Sequence, residues 1–523
     1  MAAPTAKTTY ATLSADNPEL HAAYEAALVK TRRELGHTYP LLIAGQERRA
    51  AETFRDVTPI NANVLLGYFQ KGSRQDALDA IAAARGAARD WGRRPWQERV
   101  AILRRAAGLM DRRTYEIAAI ISLEVGKNRL EALGDIAETA DLIRYACDDL
   151  EKHDGYIRPL LQESAKHLNY SVLKPYGVWA VISPFNFPSA LAGGPTGAAL
   201  VAGNAVVLKP ATDTPWTAWK LVECFRDAGV PDGAINFVTG PGSTVGEALI
   251  SSEDVDGFTF TGSYDVGMRL LRTVAQGRYP RPVVAEMGGK NPVIISRHAD
   301  LEKASLGCMR SAFGLQGQKC SATSRIYVER TVFDDFMHHF LTRTAAITVG
   351  DPTERQMFMG PVVNRKAFED YQGYVGEMRQ AGEIAFGGQV LTDGELADGY
   401  FAAPTIVTDL PLSHRLWEVE MFLPITTVHA VNSLDEAMAL ANDHVYGLTA
   451  GFFSENPNEH DWFFDNIEIG VSYVNRAAGA TTGAWPGYQA FGGWRGSGST
   501  GKAAGSFYYL PLYLREQSQT TVG

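Results

Sequence analysis

The chain lacks an excess of positive charge: 49 Lys and Arg stand against 59 Asp and Glu, a formal balance of −10 over 523 residues. It therefore carries no basic footprint for nucleic acid or an anionic membrane surface. Cysteine is scarce. Cys147, Cys224, Cys308 and Cys320 are too few for a disulfide framework, and no CxxC or Cys/His cluster has zinc-like spacing. A reducing, cytoplasmic compartment and no metal are the expectation. Long hydrophobic runs are missing as well, since the stretch from Gly197 to Leu208 is broken by Gly and Asn and falls short of the roughly 18 residues a membrane span needs. The opening MAAPTAKTTY has no apolar core of a secretory signal, and no arginine precedes Arg32, so neither export nor organelle import is expected. No internal repeat or low-complexity tract is evident. What remains is a composition of 45% hydrophobic and 21% charged residues, that of a globular protein, long enough at roughly 100–200 residues per domain for two to four domains.

From Arg74 to Lys127 the pattern is helical. Leu103, Ala107 and Met110 fall at i, i+4, i+7, and Leu78, Ile81 and Ala88 form a similar stripe. From Gly177 short β-branched runs alternate with helical patterns: GVWAVIS, a helix over 189–202, NAVVLKP, then a helix from Trp216 to Ala228 with Thr214 and Pro215 as N-cap and N1. INFVTG, a helix near 245–250, GFTFTG, another helix after Ser263, and PVVAE continue the series. Such alternation predicts βαβ units and a parallel, doubly wound sheet. A second alternating region runs from Asn291 to Tyr473, so two α/β domains in series are expected, joined at Glu286 to Lys290. The segment 477–504 is rich in Gly, Ser and Thr. After it, YYLPLYLREQSQTTV resumes strand-like alternation and must pair elsewhere, within the chain or across a subunit boundary.

Cys320 lies in Gly314-Leu-Gln-Gly-Gln-Lys-Cys-Ser-Ala, a polar, Gly-rich turn that makes it a candidate nucleophile. Its thiolate would be favoured by nearby positive charge or a helix N-terminus. The other three cysteines sit on helical faces and read as core thiols. Glu286 closes PVVAE ahead of Met287-Gly-Gly-Lys; burial there would raise its pKa towards general-base work, although the residues alone favour a solvated strand-end Glu. Asn186, in Ser183-Pro-Phe-Asn-Phe-Pro after an apolar strand, could aim an amide N–H at a developing oxyanion or serve only as a turn residue. Phe260-Thr-Gly-Ser-Tyr-Asp-Val-Gly267 runs from strand into helix, where free backbone N–H groups favour anions. Gly496 to Lys502 imitates a P-loop, but Ala503 stands where Ser or Thr should bind Mg²⁺.

Taken in order, PFNFP, LKPATDTP, FTGS, EMGGK, GQKC, EMFLP and AFGGWRGSG resemble the aldehyde dehydrogenase superfamily, from roughly Pro40 to the C-terminus. Within it, FGLQGQKCSATSR and NRAAGATTGAWPGYQAFGG look most like the 1-pyrroline-5-carboxylate (L-glutamate γ-semialdehyde) dehydrogenases. The resemblance implies Cys320 as nucleophile, Asn186 and the Cys320 N–H as oxyanion donors, and Glu286 as the base for the hydrolytic water. It implies Lys209 on the adenosine ribose, Gly262 and Ser263 on the pyrophosphate, Glu420 on the nicotinamide ribose and Phe422 packed near it. Ser321 with the backbone of Gly479 and Ala480 would grip the amino-acid end of the substrate, and Phe187 and Phe491 would sandwich its methylenes. Four positions depart from the family pattern. Thr212 stands where NAD-selective relatives often carry Glu, which removes the repulsion a 2′-phosphate would meet and leaves NADP open beside NAD. Phe185 replaces Trp, Leu423 replaces Gly, and the anchor reads Ala478-Gly-Ala where Thr-Gly-Ala is commoner.

The architecture so implied is α/β: a Rossmann-type NAD(P)-binding domain (1–150 and 172–287), an α/β catalytic domain (288–485) and a small β oligomerisation arm (151–171 and 486–523). A homodimer or a larger homo-oligomer built from dimers is expected, because the arm has no core of its own. The implied reaction is NAD-dependent oxidation of L-glutamate γ-semialdehyde to L-glutamate through a cysteine thiohemiacetal and thioester, the second step of proline catabolism. The alternatives are the same chemistry on another semialdehyde or an aliphatic aldehyde, and a non-catalytic binding protein on the same fold. Neither nucleic acid nor membrane is an expected partner.

Overall fold

The computed structural model of the chain describes Thr9 and residues 16–523. The MAAPTAKTTY stretch read for targeting signals lies, Thr9 aside, outside the described residues. Two seven-stranded sheets dominate. The first runs, edge to edge, Val283–Glu286, Gly257–Thr261, Val178–Ile182, Ala205–Lys209, Ile235–Phe237, Leu41–Ile43 and Gln46–Arg48. Its first five strands are parallel, and the last two turn antiparallel. We label Val178–Ile182 β1, Ala205–Lys209 β2, Gly257–Thr261 β3 and Val283–Glu286 β4. The second sheet runs Glu383–Phe386, Thr405–Thr408, Ile425–Val431, Thr323–Glu329, Asn291–Ile295, Thr449–Phe453 and Val471–Val474, parallel except at the Glu383 edge. Asn291–Ile295 is β5 and Thr323–Glu329 is β6.

Both sheets are covered on both faces, which is why their strands read as continuous apolar runs rather than alternating ones. The two-residue period appears one level up. Trp179 and Val181 of β1 enter one core while Val178 and Ala180 enter the other; in β5, Ile294 and its neighbours Val293 and Ile295 divide in the same way. The chain crosses from the first sheet to the second over Met287–Lys290, so the end of β4 and the start of β5 are near neighbours by connectivity alone.

The helical stripes are buried as their spacing predicts: Leu103, Ala107 and Met110 are fully enclosed in the helix Trp96–Arg112. The helix Pro215–Asp227 does begin after Thr214 with Pro at its first position, but the Thr214 side chain caps nothing. Glu124 takes over that task from another helix, accepting from Trp216 N at 2.6 Å, Thr217 N at 2.9 Å and Thr217 Oγ1 at 2.5 Å. A buried carboxylate that accepts three hydrogen bonds at a helix N-terminus outcompetes a hydroxyl. The helix expected near 245–250 starts earlier, as a wide turn over Gly242–Gly246.

The C-terminal strand Leu514–Val522 finds its partner within the chain, antiparallel to His167–Pro175, which also pairs with Ile157–Pro159. The paired strand passes the expected arm boundary at Ser171 and ends at Pro175, because every residue to there has a partner in Leu514–Val522. Asn204 roots this arm on the first sheet: its Oδ1 accepts from Gly177 N at 2.9 Å and its Nδ2 donates to Tyr513 O at 2.9 Å. Among the described residues no helix is long and apolar enough to cross a membrane. Because Asn204→Ala strips both partners from buried backbone, it should lower the unfolding free energy by about 1–3 kcal/mol in urea titrations; a variant as stable as the parent would show that Asn204 does not hold the arm.

Candidate active site

In a parallel sheet the chain leaves each strand at its carboxyl end, and the crevice there is where ligands collect. Six of the singled-out residues lie at four such ends. Asn186 and Phe187 follow β1, Lys209 is the last residue of β2, Gly262 and Ser263 follow β3, and Glu286 is the last residue of β4. Register brings them together, since Ile182 pairs with Lys209 and Thr261 with Glu286. Gly262 N donates to Glu286 O at 3.1 Å. The edge of β4 is closed by the late Gly/Ser segment: Met287 N donates to Ser497 O at 2.9 Å, and Ser499 Oγ donates to Val283 O and accepts from Ala285 N. This is the local task of the sequence that imitates a P-loop.

Cys320 comes from the second sheet. It precedes β6 in a loop where Leu315 and Gln316 both have positive φ, 50° and 55°, a conformation costly for non-glycine residues and held only where the surroundings over-determine it. They do so here. Gln316 Nε2 donates to Gly126 O and Pro361 O, Val363 N donates to Gln318 Oε1, and Asn291 of β5 donates to Cys320 O at 2.7 Å and to Ala322 O at 2.8 Å. Cys147, Cys224 and Cys308 are free and buried, whereas Cys320 is partly accessible.

One cavity gathers Cys320, Ser321, Glu286, Phe187 and Phe491, together with Glu138, Leu142, Gly483, Ala484, Trp485 and Gln489. Asn186 is buried at 3% exposure beside Phe187 but is not part of the cavity wall. Glu420 and Phe422 line a separate, smaller cavity on the other side of the nucleophile loop, with Gly289, Lys319 and Thr323. Glu420 Oε1 accepts from Gly289 N at 2.9 Å. Phe185 and Leu423, two of the departures from the family pattern, are packing residues: the Phe185 ring meets Phe422 edge-on at 5.8 Å, and Leu423 is buried in a core of the second sheet.

Two expectations need correction. Gly479 and Ala480 do not reach the cavity. Ala480 N donates to Gly307 O at 3.0 Å and Gly479 N to Arg476 O at 3.3 Å, so both donors are spent on folding the loop. The cavity wall is formed four residues on by Gly483 and Ala484, in Thr482-Gly483-Ala484, which supplies the threonine missing at Ala478. The other correction concerns charge. Lys319, adjacent to Cys320 in sequence, is tied to Glu131 at 2.6 Å, and among the described residues no cation is a leading influence on the thiol. Burial pushes the Cys320 thiol well above its ordinary range, and the charges of Glu286 and Glu420 add to this while the N–H groups of Ser321 and Cys320 oppose it.

The carboxylates respond to the same desolvation. Burial, helped by the charge of Glu138, pushes Glu286 up to about 8, and its buried Oε1 has no hydrogen-bond partner. Glu420 is raised to about 7 by burial. Lys209 is lowered to about 8 by burial and donates to Pro210 O at 3.0 Å. A buried ammonium at the carboxyl end of β2, the exposed Thr212, and Ser263 at the head of the helix Tyr264–Ala275 with no side-chain cap of its own form a row of donors. That row fits a dinucleotide with hydroxyls at one end and phosphates in the middle. Glu138, in the middle of a long helix, was missed by sequence reading because a single carboxylate on a helical face carries no local signal. Among the described residues no cluster of His, Cys, Asp or Glu could hold a metal ion.

The aldehyde dehydrogenase family model matches residues 46–518. A curated relative named 1-pyrroline-5-carboxylate dehydrogenase, from Bacillus mycoides (strain KBAB4), is 38% identical over 504 residues, covering 95% of each chain. One of the same name from Staphylococcus saprophyticus is 36% identical over 500 residues, again covering 95% of each. A crystal structure of 1-pyrroline-5-carboxylate dehydrogenase from Thermus with bound NAD superposes with a TM-score of 0.94 at 32% identity, covering 100% of this chain and 99% of that one.

Glu286 accepts a proton only when ionised, and its ionised fraction climbs as pH rises through about 8. Glu138→Gln removes the neighbouring negative charge, so the carboxyl infrared band assigned by a Glu286→Gln blank should ionise at lower pH than in the parent. An unchanged midpoint would show that Glu138 does not act on it.

Proposed function

This chain belongs to the aldehyde dehydrogenase family, and on that premise we propose that it oxidises L-glutamate γ-semialdehyde, the hydrated, ring-opened form of 1-pyrroline-5-carboxylate, to L-glutamate with NAD, the second step of proline catabolism. The observation that carries this reading is the single cavity shared by a thiol, Cys320, and a desolvated carboxylate, Glu286, with two aromatic walls and a second carboxylate, Glu138.

The substrate divides into parts that this cavity suits. Backbone N–H groups recognise a carboxylate without a fixed cation, and Gly483, Ala484 and the Ser321 hydroxyl serve that end. Glu138 faces the ammonium. Phe187 and Phe491 enclose the methylenes between, which presents the aldehyde carbon to Cys320. In the first step Sγ bonds to that carbon. The thiol gives up its proton to solvent water, and the carbonyl electron pair moves onto oxygen, where the Asn186 amide and the Cys320 N–H hold it; such donors are commonly worth a few kcal/mol each. NAD, when bound, supplies the hydride acceptor. Cys320 is left as a thioester. Glu286, in its ionised form, takes a proton from water, the hydroxide adds to the acyl carbon, and the C–S bond breaks as that proton passes from Glu286 to sulfur, releasing L-glutamate and the thiol.

Lys209 and Thr212 serve the adenosine ribose, Gly262 and Ser263 the pyrophosphate, and Glu420 the nicotinamide ribose with Phe422 beside it. The division into an NAD(P)-binding domain (1–150 and 172–287), a catalytic domain (288–485) and an arm (151–171 and 486–523) belongs to the same reading, with the arm's paired strand carried on to Pro175. The arm exposes Ile157, Leu161, Leu168 and Val522, and exposed apolar surface on an element without a core supports a homodimer or a larger homo-oligomer of dimers. Four free thiols support a cytoplasmic location.

The test is NADH formation with glutamate γ-semialdehyde, succinate semialdehyde and propanal at matched concentrations. The amino-acid aldehyde should have the highest kcat/KM. Equal rates would discard the substrate assignment, and no NADH from any of them would discard the dehydrogenase.

A further inference from the structure

The long helix Arg129–Lys152 (α1) runs past both active-site loops. Residues four apart on a helix lie on one face, and Glu131, Asp135 and Thr139 form such a row, with Glu138 and Leu142 of the cavity wall beside it. Each member of the row holds something different. Glu131 reaches the loop before the nucleophile: Oε2 accepts from Leu315 N at 3.1 Å and Oε1 from Lys319 Nζ at 2.6 Å. Asp135 reaches the other loop. Its Oδ1 accepts from Ala190 N at 2.8 Å, at the start of the helix Ala190–Ala202 (α2), and its Oδ2 from Lys127 Nζ at 2.9 Å. The Lys127 ammonium in turn sits 3.7 Å from the centroid of the Phe187 ring. Thr139 Oγ1 shares a 2.6 Å hydrogen bond with Ser189 Oγ.

These are enclosed interactions. Lys127 and Asp135 have no exposed side-chain surface, and Glu131 and Lys319 keep 17% and 12%. The two helices are also held at a fixed, short separation, because a Cβ at Gly194 would lie 2.6 Å from Leu142 Cδ1 and one at Gly197 2.5 Å from Ile143 Cγ1. The loop carrying Cys320 belongs to the second sheet and the loop carrying Asn186 to the first. α1 is the element that grips both from one face.

We propose that Glu131 and Asp135 are positioning residues, and that α1 sets the distance between nucleophile and oxyanion donor by anchoring one loop through each carboxylate. The roles of Cys320 and Asn186 are those of the proposed function, on which this inference rests. A misplacement of about 1 Å costs on the order of 100-fold in rate, so a fixed spacer of this kind bears directly on turnover.

The experiment compares Glu131→Gln, Asp135→Asn and Thr139→Val by three readouts: iodoacetamide labelling of each cysteine by peptide mapping, NAD affinity by fluorescence titration, and kcat against KM for the aldehyde. Glu131→Gln should raise labelling of Cys320 several-fold, because its loop is released, and lower kcat by about 10- to 100-fold, with Cys147, Cys224 and Cys308 still unlabelled and NAD affinity unchanged. Asp135→Asn should lower kcat to a similar degree with Cys320 labelling unchanged, since it grips the other loop. Thr139→Val leaves no buried charge unpaired and should show the same pattern as Asp135→Asn in weaker form, which covers the case in which Asp135→Asn fails to fold. Labelling of all four cysteines, or equal Cys320 labelling in the Glu131 and Asp135 variants, would mean general loosening and overturn the proposal; so would parental kinetics in Glu131→Gln. If the parent oxidises no aldehyde, the functional reading fails, while the contrast in labelling between the two variants still decides the anchoring.

Discussion

Desolvation of Glu286 is the constraint on which the rest of the site depends. It ends the edge strand β4, its backbone carbonyl is taken by Gly262 N, and the strand's open side is closed by Ser497 and Ser499. Among the described residues no cation compensates it, and burial beside Glu138 pushes its pKa up to about 8. The same enclosure keeps Cys320 a thiol. Nucleophile and base therefore rest without an ion pair, the raised carboxyl of Glu286 being suited to general-base work on the hydrolytic water. A site built of a neutral thiol and a raised carboxyl differs from one in which a neighbouring cation holds a standing thiolate.

The second organising fact is that this pair spans two sheets. Parallel strands deliver their loops at carboxyl ends, which accounts for the Lys209, Ser263 and Glu286 row. Cys320 is delivered separately, by a strained loop clamped by Asn291, Gln316 and Gln318. The glycines of EMGGK let the crossing chain lie flat against this loop: a Cβ at Gly289 would collide with Cys320 O, and one at Gly288 with Glu420. Motifs far apart in sequence are thus parts of one joint.

What the sequence made legible were features whose chemistry is local. The β-branched runs became the strands of the first sheet because continuous apolar strands need cover on both faces, and Cys320 stood out because a thiol in a Gly-rich polar turn has no packing purpose. Features decided by tertiary competition were not legible. Two Gly-Ala steps lie four residues apart, and the bonds from Gly479 N to Arg476 O and from Ala480 N to Gly307 O turn the donors of the first away from the cavity. Thr214 has the right type for a cap, yet Glu124 arrives from a distant helix with the stronger acceptor. Glu138 is one acidic residue on an acidic helix until the fold turns that face inward.

The central claim is covalent catalysis by Cys320 with hydrolysis by Glu286, and the most direct measurement is the mass of the acid-quenched peptide containing Cys320 after a single turnover of Glu286→Gln with glutamate γ-semialdehyde and NAD. One acyl group should accumulate on Cys320 in step with one equivalent of NADH. NADH formed with that peptide unmodified, or the acyl group on another residue, would contradict it.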